Sequence, residues 1–224
     1  MVETVDALFA FAAAGILAWV LVPVAESLAW KIGAIDRPVE RSLHVAPTPK
    51  LSGAAILVAV LASGAIFLPW DEQTRAILIG AAAIAAVGVA DDVWDLPPLL
   101  KLLGQVGAAI IPVQAGVSVD EFTLPFLGGV DPGSTKLFEL PLVGKVDLGE
   151  LGTVLGIVAM ANVVNLIDGV DGLAAGVCVI SAATLAAIAL SLDRNPAGVL
   201  AAITAGGALG FLRHGFPPAS SFMG

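Results

Sequence analysis

The chain has 224 residues, of which 58 % are apolar and 13 % charged, and its mean hydropathy is +0.98. A soluble domain carries about 25 % charged residues, so a soluble globule and a disordered chain are excluded. The net charge of −9 argues against polyanionic partners such as nucleic acid. The single cysteine, Cys178, excludes a disulfide framework and a cysteine-ligated zinc site. What remains is an all-α, multi-pass membrane protein.

Seven apolar runs follow one another: residues 7–30, 51–70, 76–90, 102–119, 151–167, 173–192 and 197–212. They are continuous and Ala-rich and lack the alternation of a membrane barrel, so each reads as a helix. A helix crossing the hydrocarbon core needs about 20 residues. The third run, at 15 residues, is short, and Asp91 at its end is expected inside the membrane boundary. Glu3 and Asp6 precede the first run without Lys or Arg, and the run is too long for a signal peptide. Residues 120–150 are polar and punctuated by Gly and Pro, which suits a hairpin or a short amphipathic piece and carries no evident chemistry.

Lys31, Arg37, Arg41 and Lys50 crowd the loop between the first two runs, which makes that loop cytoplasmic and the N-terminus external. Counted on from there, Asp36, Asp91, Asp92, Asp95, Asp168 and Asp171 fall on the same face, with His44, Lys101, Arg213 and His214. Polar residues far apart in sequence thus converge on one side.

Three segments point to chemistry. Asp91-Asp92-Val-Trp-Asp95 places three carboxylates on one helical turn, ahead of Pro97-Pro98. Near a membrane this suits Mg²⁺, which is held by one or two carboxylates plus substrate phosphates; the alternative is a solvated helix end. Asn162, Asn165 and Asp168 follow one drifting face of the fifth run, then Gly169 and Gly172 flank Asp171. Amides, carboxylates and a glycine turn suit a nucleotide or a metal–phosphate group; the alternative is an interhelical polar clamp. In residues 36–53, Pro47 and Pro49 stiffen a loop whose Arg41, His44 and Lys50 can meet a phosphate; the alternative is a positive-inside anchor. Arg213-His214, at the end of the last run, reads as an anchor.

Taken together and in this order, the segments resemble those of the polyprenyl-phosphate hexosamine-1-phosphate transferases, which start lipid-linked cell-envelope glycans. Residues 36–53 resemble the family's D-x-P-x-x-R-x-x-H…P-x-P loop. Asp91-Asp92…Asp95…Lys101…Gln105 resembles its D-D…D…K…Q segment. Asn162…Asn165…Asp168-Gly-Val-Asp171-Gly-Leu-Ala resembles its N-x-x-N-x-x-D-G-x-D-G-L-A segment. Pro218-Ala…Phe222-Met-Gly224 resembles the start of its P-A-x-x-F-M-G-D stretch. The Arg-Ser-Leu-His…Pro-Thr-Pro wording is most like the O-antigen-initiating branch, hence lipopolysaccharide or cell-wall biogenesis.

The resemblance implies a single integral-membrane transferase domain over residues 1–224, an inner-membrane location and a cytoplasmic active site. It implies a Mg²⁺-dependent transfer of N-acetylhexosamine 1-phosphate from a UDP-sugar to undecaprenyl phosphate, releasing UMP. Asp91, Asp92 and Asp168 are then the catalytic candidates, with Asp92 and Asp168 near the metal. His44, Lys50, Lys101, Asn165 and Asp171 are the substrate-binding candidates. Lipid membrane, UDP-sugar and polyprenyl phosphate are the implied partners; association into a homodimer stays open.

Two departures stand out. The loop reads Lys50-Leu-Ser-Gly53-Ala54, without the family's paired glycines. The chain also ends at Gly224, where the family continues with an Asp that serves as a principal Mg²⁺ ligand. The expectation is a longer bundle with its C-terminal spans missing here, and weak or no activity from the 224 residues alone. Two rival functions account for less of the pattern, although the first also uses an Asp-rich motif with Mg²⁺. A Mg²⁺-dependent intramembrane prenyltransferase leaves the Asn-Asn-Asp-Gly turn unexplained, and an ion-coupled transporter wants its acids near the midplane.

Overall fold

The computed structural model describes residues 4–36, 47–119, 121–124, 128–140 and 144–223. In chain order they form α1 (Thr4–Ile32), β1 (Ile35–Asp36), β2 (Thr48–Pro49), α2 (Ser52–Phe67), α3 (Glu72–Trp94) and α4 (Pro98–Gln114). Then come β3 (Phe122–Leu124), β4 (Gly128–Val130), a 3₁₀ turn (Pro132–Ser134), β5 (Lys136–Leu140), β6 (Gly144–Asp147), α5 (Leu148–Ile167), α6 (Leu173–Ser191) and α7 (Asn195–Gly215). Each of the seven apolar runs is therefore a helix, and α1, α3, α5, α6 and α7 are long and apolar enough to cross a membrane. With 16 and 17 residues, α2 and α4 extend only about 24–26 Å.

The third helix corrects the hydropathy reading. It has 23 residues and carries Asp91 and Asp92 in its last turn. Hydropathy stops at the first carboxylate, but the backbone ladder does not. The helix starts on the side chain of Asp71, whose Oδ1 accepts the Thr74 N–H at 2.7 Å. It ends when Asp95 takes a positive φ of 48°, so Asp95 leaves the helical face it was expected to share with Asp91 and Asp92. Pro97 and Pro98 then open α4, where a missing N–H costs nothing.

The chain divides into two compact units, one of Met1–Trp70, Ala85–Leu96 and Val164–Gly224, the other of Asp71–Ile84 and Pro97–Val163.

In the first unit, α1 and α7 run parallel. Ala7, Ala10, Ala14 and Ala18 are buried at three- and four-residue spacing along α1, which lets the two backbones approach as small residues do between membrane helices. A Cβ added at Gly206 would lie 2.1 Å from the Phe11 carbonyl oxygen, and one at Gly210 would lie 2.2 Å from that of Gly15. Leu68, after α2, packs with Ala7 and Ala10, while Leu51, before it, packs with Ala29. So α2 is antiparallel to α1. The end of α6 meets the start of α7, where a Cβ on Gly198 would touch Leu190 at 2.7 Å. Its start meets the other end, where Ala175 packs with Phe211. These directions are those of alternating membrane crossings. They gather the end of α1, the start of α2, the start of α6 and the end of α7 at one end of the unit.

Pro23 lies inside α1 and has no N–H for the carbonyl four residues back, that of Trp19. His214 Nε2–H donates to that carbonyl at 3.2 Å. A neighbouring helix thus satisfies the group that the proline orphans, as a membrane interior requires.

In the second unit the first half of α3 packs on α4 through Gly80, where a Cβ would lie 3.0 Å from Pro112 and 3.2 Å from the Ala108 oxygen. The polar segment forms two antiparallel hairpins, Phe122↔Val130 to Leu124↔Gly128 and Lys136↔Asp147 to Leu140↔Gly144. A reciprocal capping box starts α5: Asp147 Oδ1 accepts the Glu150 N–H at 2.8 Å and Glu150 Oε2 accepts the Asp147 N–H at 3.3 Å.

Candidate active site

The polar end of the first unit is assembled on the residues around Pro49. Ile35 pairs with Pro49 and Asp36 with Thr48, and the Lys50 N–H continues the ladder to the Ala34 carbonyl at 3.1 Å. This closes the base of the loop between α1 and α2. The chain after α7 then folds onto the same residues. Phe222 N–H donates to the Pro49 carbonyl at 2.9 Å, and Gly53 N–H donates to the Met223 carbonyl at 2.6 Å. Ser221 is fully buried; its hydroxyl donates to the Pro49 carbonyl at 3.0 Å and lies in hydrogen-bond contact with the Ser52 hydroxyl. Gly53 is needed for this docking, since a Cβ there would sit 2.9 Å from the Met223 oxygen. One glycine therefore serves where paired glycines were expected.

Docked in this way, Lys50 faces the acidic end of α3. Val89 and Val93 pack against Ala29, Ala34 and Leu51, which turns Asp92 toward the loop. Lys50 Nζ stands 3.9 Å from Asp92 Oδ1, with the two side chains 25 % and 15 % exposed. That separation is longer than a charge-assisted hydrogen bond, so the ammonium screens the carboxylate without clasping it. Asp91, one residue back, is half-buried.

The turn after α5 lies in the same unit. Asp168 follows the last helical residue, its N–H still bonded to the Val164 carbonyl at 3.2 Å. Gly172 has φ +72°, and a Cβ there would meet Leu212, Gly215 and Phe216; Gly169 has open space around it. Of the two glycines flanking Asp171, Gly172 is thus the one the geometry demands. Asp171 Oδ2 accepts the Ala219 N–H at 3.0 Å, so this aspartate ties the turn to the segment docked on Pro49. Glu26 completes the arrangement. Its Oε1 accepts from Ser220 Oγ at 2.9 Å and lies 4.0 Å from His214 Nδ1.

Lys101 and Asn162 belong to the second unit. Asn162 Nδ2 donates to Gln105 Oε1 at 2.7 Å and to the Val158 carbonyl at 2.8 Å. The interhelical polar clamp is thus the use the structure makes of Asn162, with buried Gln105 as its partner. Lys101 is half-buried one helical turn before Gln105. Asn165 is exposed on the last turn of α5. His44 and Arg41 lie outside the described residues.

Among the described residues, no three His, Cys, Asp or Glu side chains converge as a metal cage. A Mg²⁺ ion does not require one, because one or two carboxylates suffice when substrate phosphates fill the remaining positions. Asp92 and Asp168 supply hard oxygen donors of the right kind. Carboxylate oxygens of this kind are the donors that Mg²⁺ takes.

Sequence reasoning missed Ser52, Ser221 and Glu26. Serines carry no local signal of a long-range hydrogen bond, and Glu26 sits in an otherwise apolar helix, where its charge alone was the clue.

Residues 74–224 match the family described as glycosyl transferase family 4. The chain is 39 % identical over 207 residues to a Bacillus subtilis protein named as a probable undecaprenyl-phosphate N-acetylglucosaminyl 1-phosphate transferase, covering 92 % of this chain and 54 % of that protein. It is 34 % identical over 221 residues to a Mycobacterium tuberculosis decaprenyl-phosphate N-acetylglucosaminephosphotransferase, covering 88 % and 50 %. It is 35 % identical over 208 residues to a phospho-N-acetylmuramoyl-pentapeptide-transferase of Desulforudis audaxviator, covering 82 % and 59 %. The chain thus spans about half the length of the curated relatives it matches.

Proposed function

The chain belongs to glycosyl transferase family 4, and from that premise we propose that it forms part of a sugar-1-phosphate transferase acting at the cytoplasmic face of the inner membrane. The donor is a UDP-N-acetylhexosamine, in the first instance UDP-N-acetylglucosamine, which fits the names of the Bacillus and Mycobacterium relatives. The acceptor is a polyprenyl phosphate such as undecaprenyl phosphate. The observation that carries this reading is the docking of Lys50 opposite Asp92 at the acidic end of α3, in the unit that also holds the Asp168–Asp171 turn.

In the reaction, an oxygen of the lipid phosphate attacks the β-phosphorus of the nucleotide sugar. The bond from that phosphorus to the bridging oxygen breaks, and UMP leaves with the electron pair. Both reactants are anions, so charge screening and positioning do most of the work. Asp91 activates and orients the lipid phosphate. Lys50 and Lys101 screen phosphate charge, and His44 lines the entrance with Lys50. Asn165 and Asp168 hold the nucleotide-sugar side. Asp171 stands near the uridine, with one carboxylate oxygen occupied by the Ala219 N–H. Mg²⁺ held by Asp92 and Asp168 would neutralise the diphosphate and polarise the β-phosphorus.

The test is UMP release from UDP-N-acetylglucosamine and undecaprenyl phosphate by the full-length protein in detergent. Asp91→Asn and Asp168→Asn should each lower the rate by at least about a hundredfold, as loss of a transition-state electrostatic contact does. EDTA should abolish turnover and Mg²⁺ restore it. Wild-type rates in both variants would sink the assignment.

A further inference from the structure

The seam between α1 and α7 leaves a groove on the first unit that the proposed reaction does not use. Its floor is made by Gly15 and Gly210, where the helices approach most closely, and Ala12 lines it from the exposed side. Phe11, Ile16, Trp19 and Leu209 wall an open-sided space of about 360 Å³. From Phe11 to Trp19 the groove runs about 12 Å along the helix, close to the roughly 15 Å of one leaflet's hydrocarbon.

Two features at one end give the groove a chemical direction. Arg213 lines it at the last turn of α7, the end that carries the polar site. Among the described residues no carboxylate pairs with Arg213; Glu26, the acid that serves the adjacent His214, is taken by Ser220 and His214. Trp19, 52 % exposed, stands beside it with the amphipathic ring that favours the headgroup level. An arginine that serves only as an anchor has no need of an apolar channel leading away from it. Apolar walls nearly one leaflet long, ending at a guanidinium without a carboxylate partner among the described residues and at an interfacial indole, match an amphiphile with one anionic phosphate and an alkyl chain.

We propose that this groove binds an anionic glycerophospholipid of the leaflet on the site's side. The phosphate sits on Arg213, since a guanidinium binds phosphate by paired hydrogen bonds, and one acyl chain lies along Phe11, Ile16 and Leu209. A lipid there fills the α1–α7 seam beside the carbonyl of Trp19 and so stiffens the end of the unit that holds the Pro49 cluster. The inference does not depend on the proposed transferase reaction.

The experiment is native mass spectrometry of the full chain exchanged into mixed micelles of phosphatidylglycerol and phosphatidylcholine. Wild type should retain phosphatidylglycerol in at least about tenfold preference, a difference of about 1.4 kcal/mol. Arg213→Gln should erase the preference and Arg213→Lys should keep part of it. Ala12→Leu fills the groove from its exposed side and should remove bound lipid while leaving thermal unfolding in phosphatidylcholine unchanged. Equal retention of the two lipids by wild type, or unchanged retention in Ala12→Leu, would overturn the proposal and assign the groove to another part of the protein. Displacement of the bound lipid by equimolar undecaprenyl phosphate would also overturn it, and would make the groove an acceptor site.

Discussion

The α1–α7 seam and the cluster around Pro49 hold the same unit together by opposite means. Along the seam, backbone lies on backbone: Gly206 against Phe11 and Gly210 against Gly15. From Phe11 to Gly15 the fit depends on missing volume. Around Pro49 the helices have ended, and hydrogen bonds take over: Ser221 to Pro49 and Ser52, Phe222 to Pro49, and Asp171 to Ala219. His214 stands where the two regimes meet, on the carbonyl that Pro23 leaves without a partner. Between membrane helices apolar contact gives little advantage over lipid, so close approach must supply the cohesion. Where the chain turns, backbone polar groups must be paired one by one.

Added volume in the seam should have the largest effect. Gly206→Ala puts a methyl group 2.1 Å from the Phe11 oxygen. Backbone cannot step aside as a side chain can, so the expected cost is about 3 kcal/mol or more, read as a large fall in thermal unfolding temperature in detergent. Gly207→Ala is the control. Its nearest neighbours are the side chains of Ile56 and Val60 at 3.4–3.5 Å, and a near-wild-type transition is expected. Equal effects from the two would show that the seam is not set by backbone approach.

A smaller effect tests the polar cluster. Ser221→Ala leaves the buried Ser52 hydroxyl short of a partner, for an expected loss of about 1–3 kcal/mol. Adding Ser52→Ala should cost little more, because removing both partners also removes the orphaned group. Additive losses would mean that the two hydroxyls do not act on each other. The smallest effect belongs to the boundary. His214→Ala uncovers the Trp19 carbonyl and should cost about 1 kcal/mol, whereas His214→Gln, which offers an N–H, should recover part of it. No recovery would assign the role of His214 to its contact with Glu26.

Much of this was legible before any coordinate. Each apolar run became a helix because a continuous apolar stretch in lipid has no other way to satisfy its backbone. The convergence of Asp36, Lys50, Asp92 and Asp171 at one end followed from counting crossings, and α1 and α7, two odd-numbered runs, are indeed parallel. The third run was misjudged because hydropathy measures side chains while helix length is decided by the backbone. Asp95 was misplaced for a related reason, since a spacing of four assumes a helix that its own positive φ ends. For Asn162 the sequence left a ligand contact and an interhelical clamp both open, and its amide donates to Gln105; spacing along one helix cannot identify a partner on another.

The sequence by itself determined the class of protein, the positions of the apolar helices, the alternating directions of α1, α2, α6 and α7 within the first unit and the family, because each of these follows from local composition or from the order of short motifs along the chain. The tertiary structure decided which polar groups face one another: Lys50 with Asp92, Asp171 with the Ala219 N–H, Ser221 with Ser52 and Pro49, His214 with the Trp19 carbonyl. Those pairings join residues up to 195 positions apart. They arise only once glycine and alanine let α1 and α7 close on each other, which no local pattern of charge or hydropathy encodes.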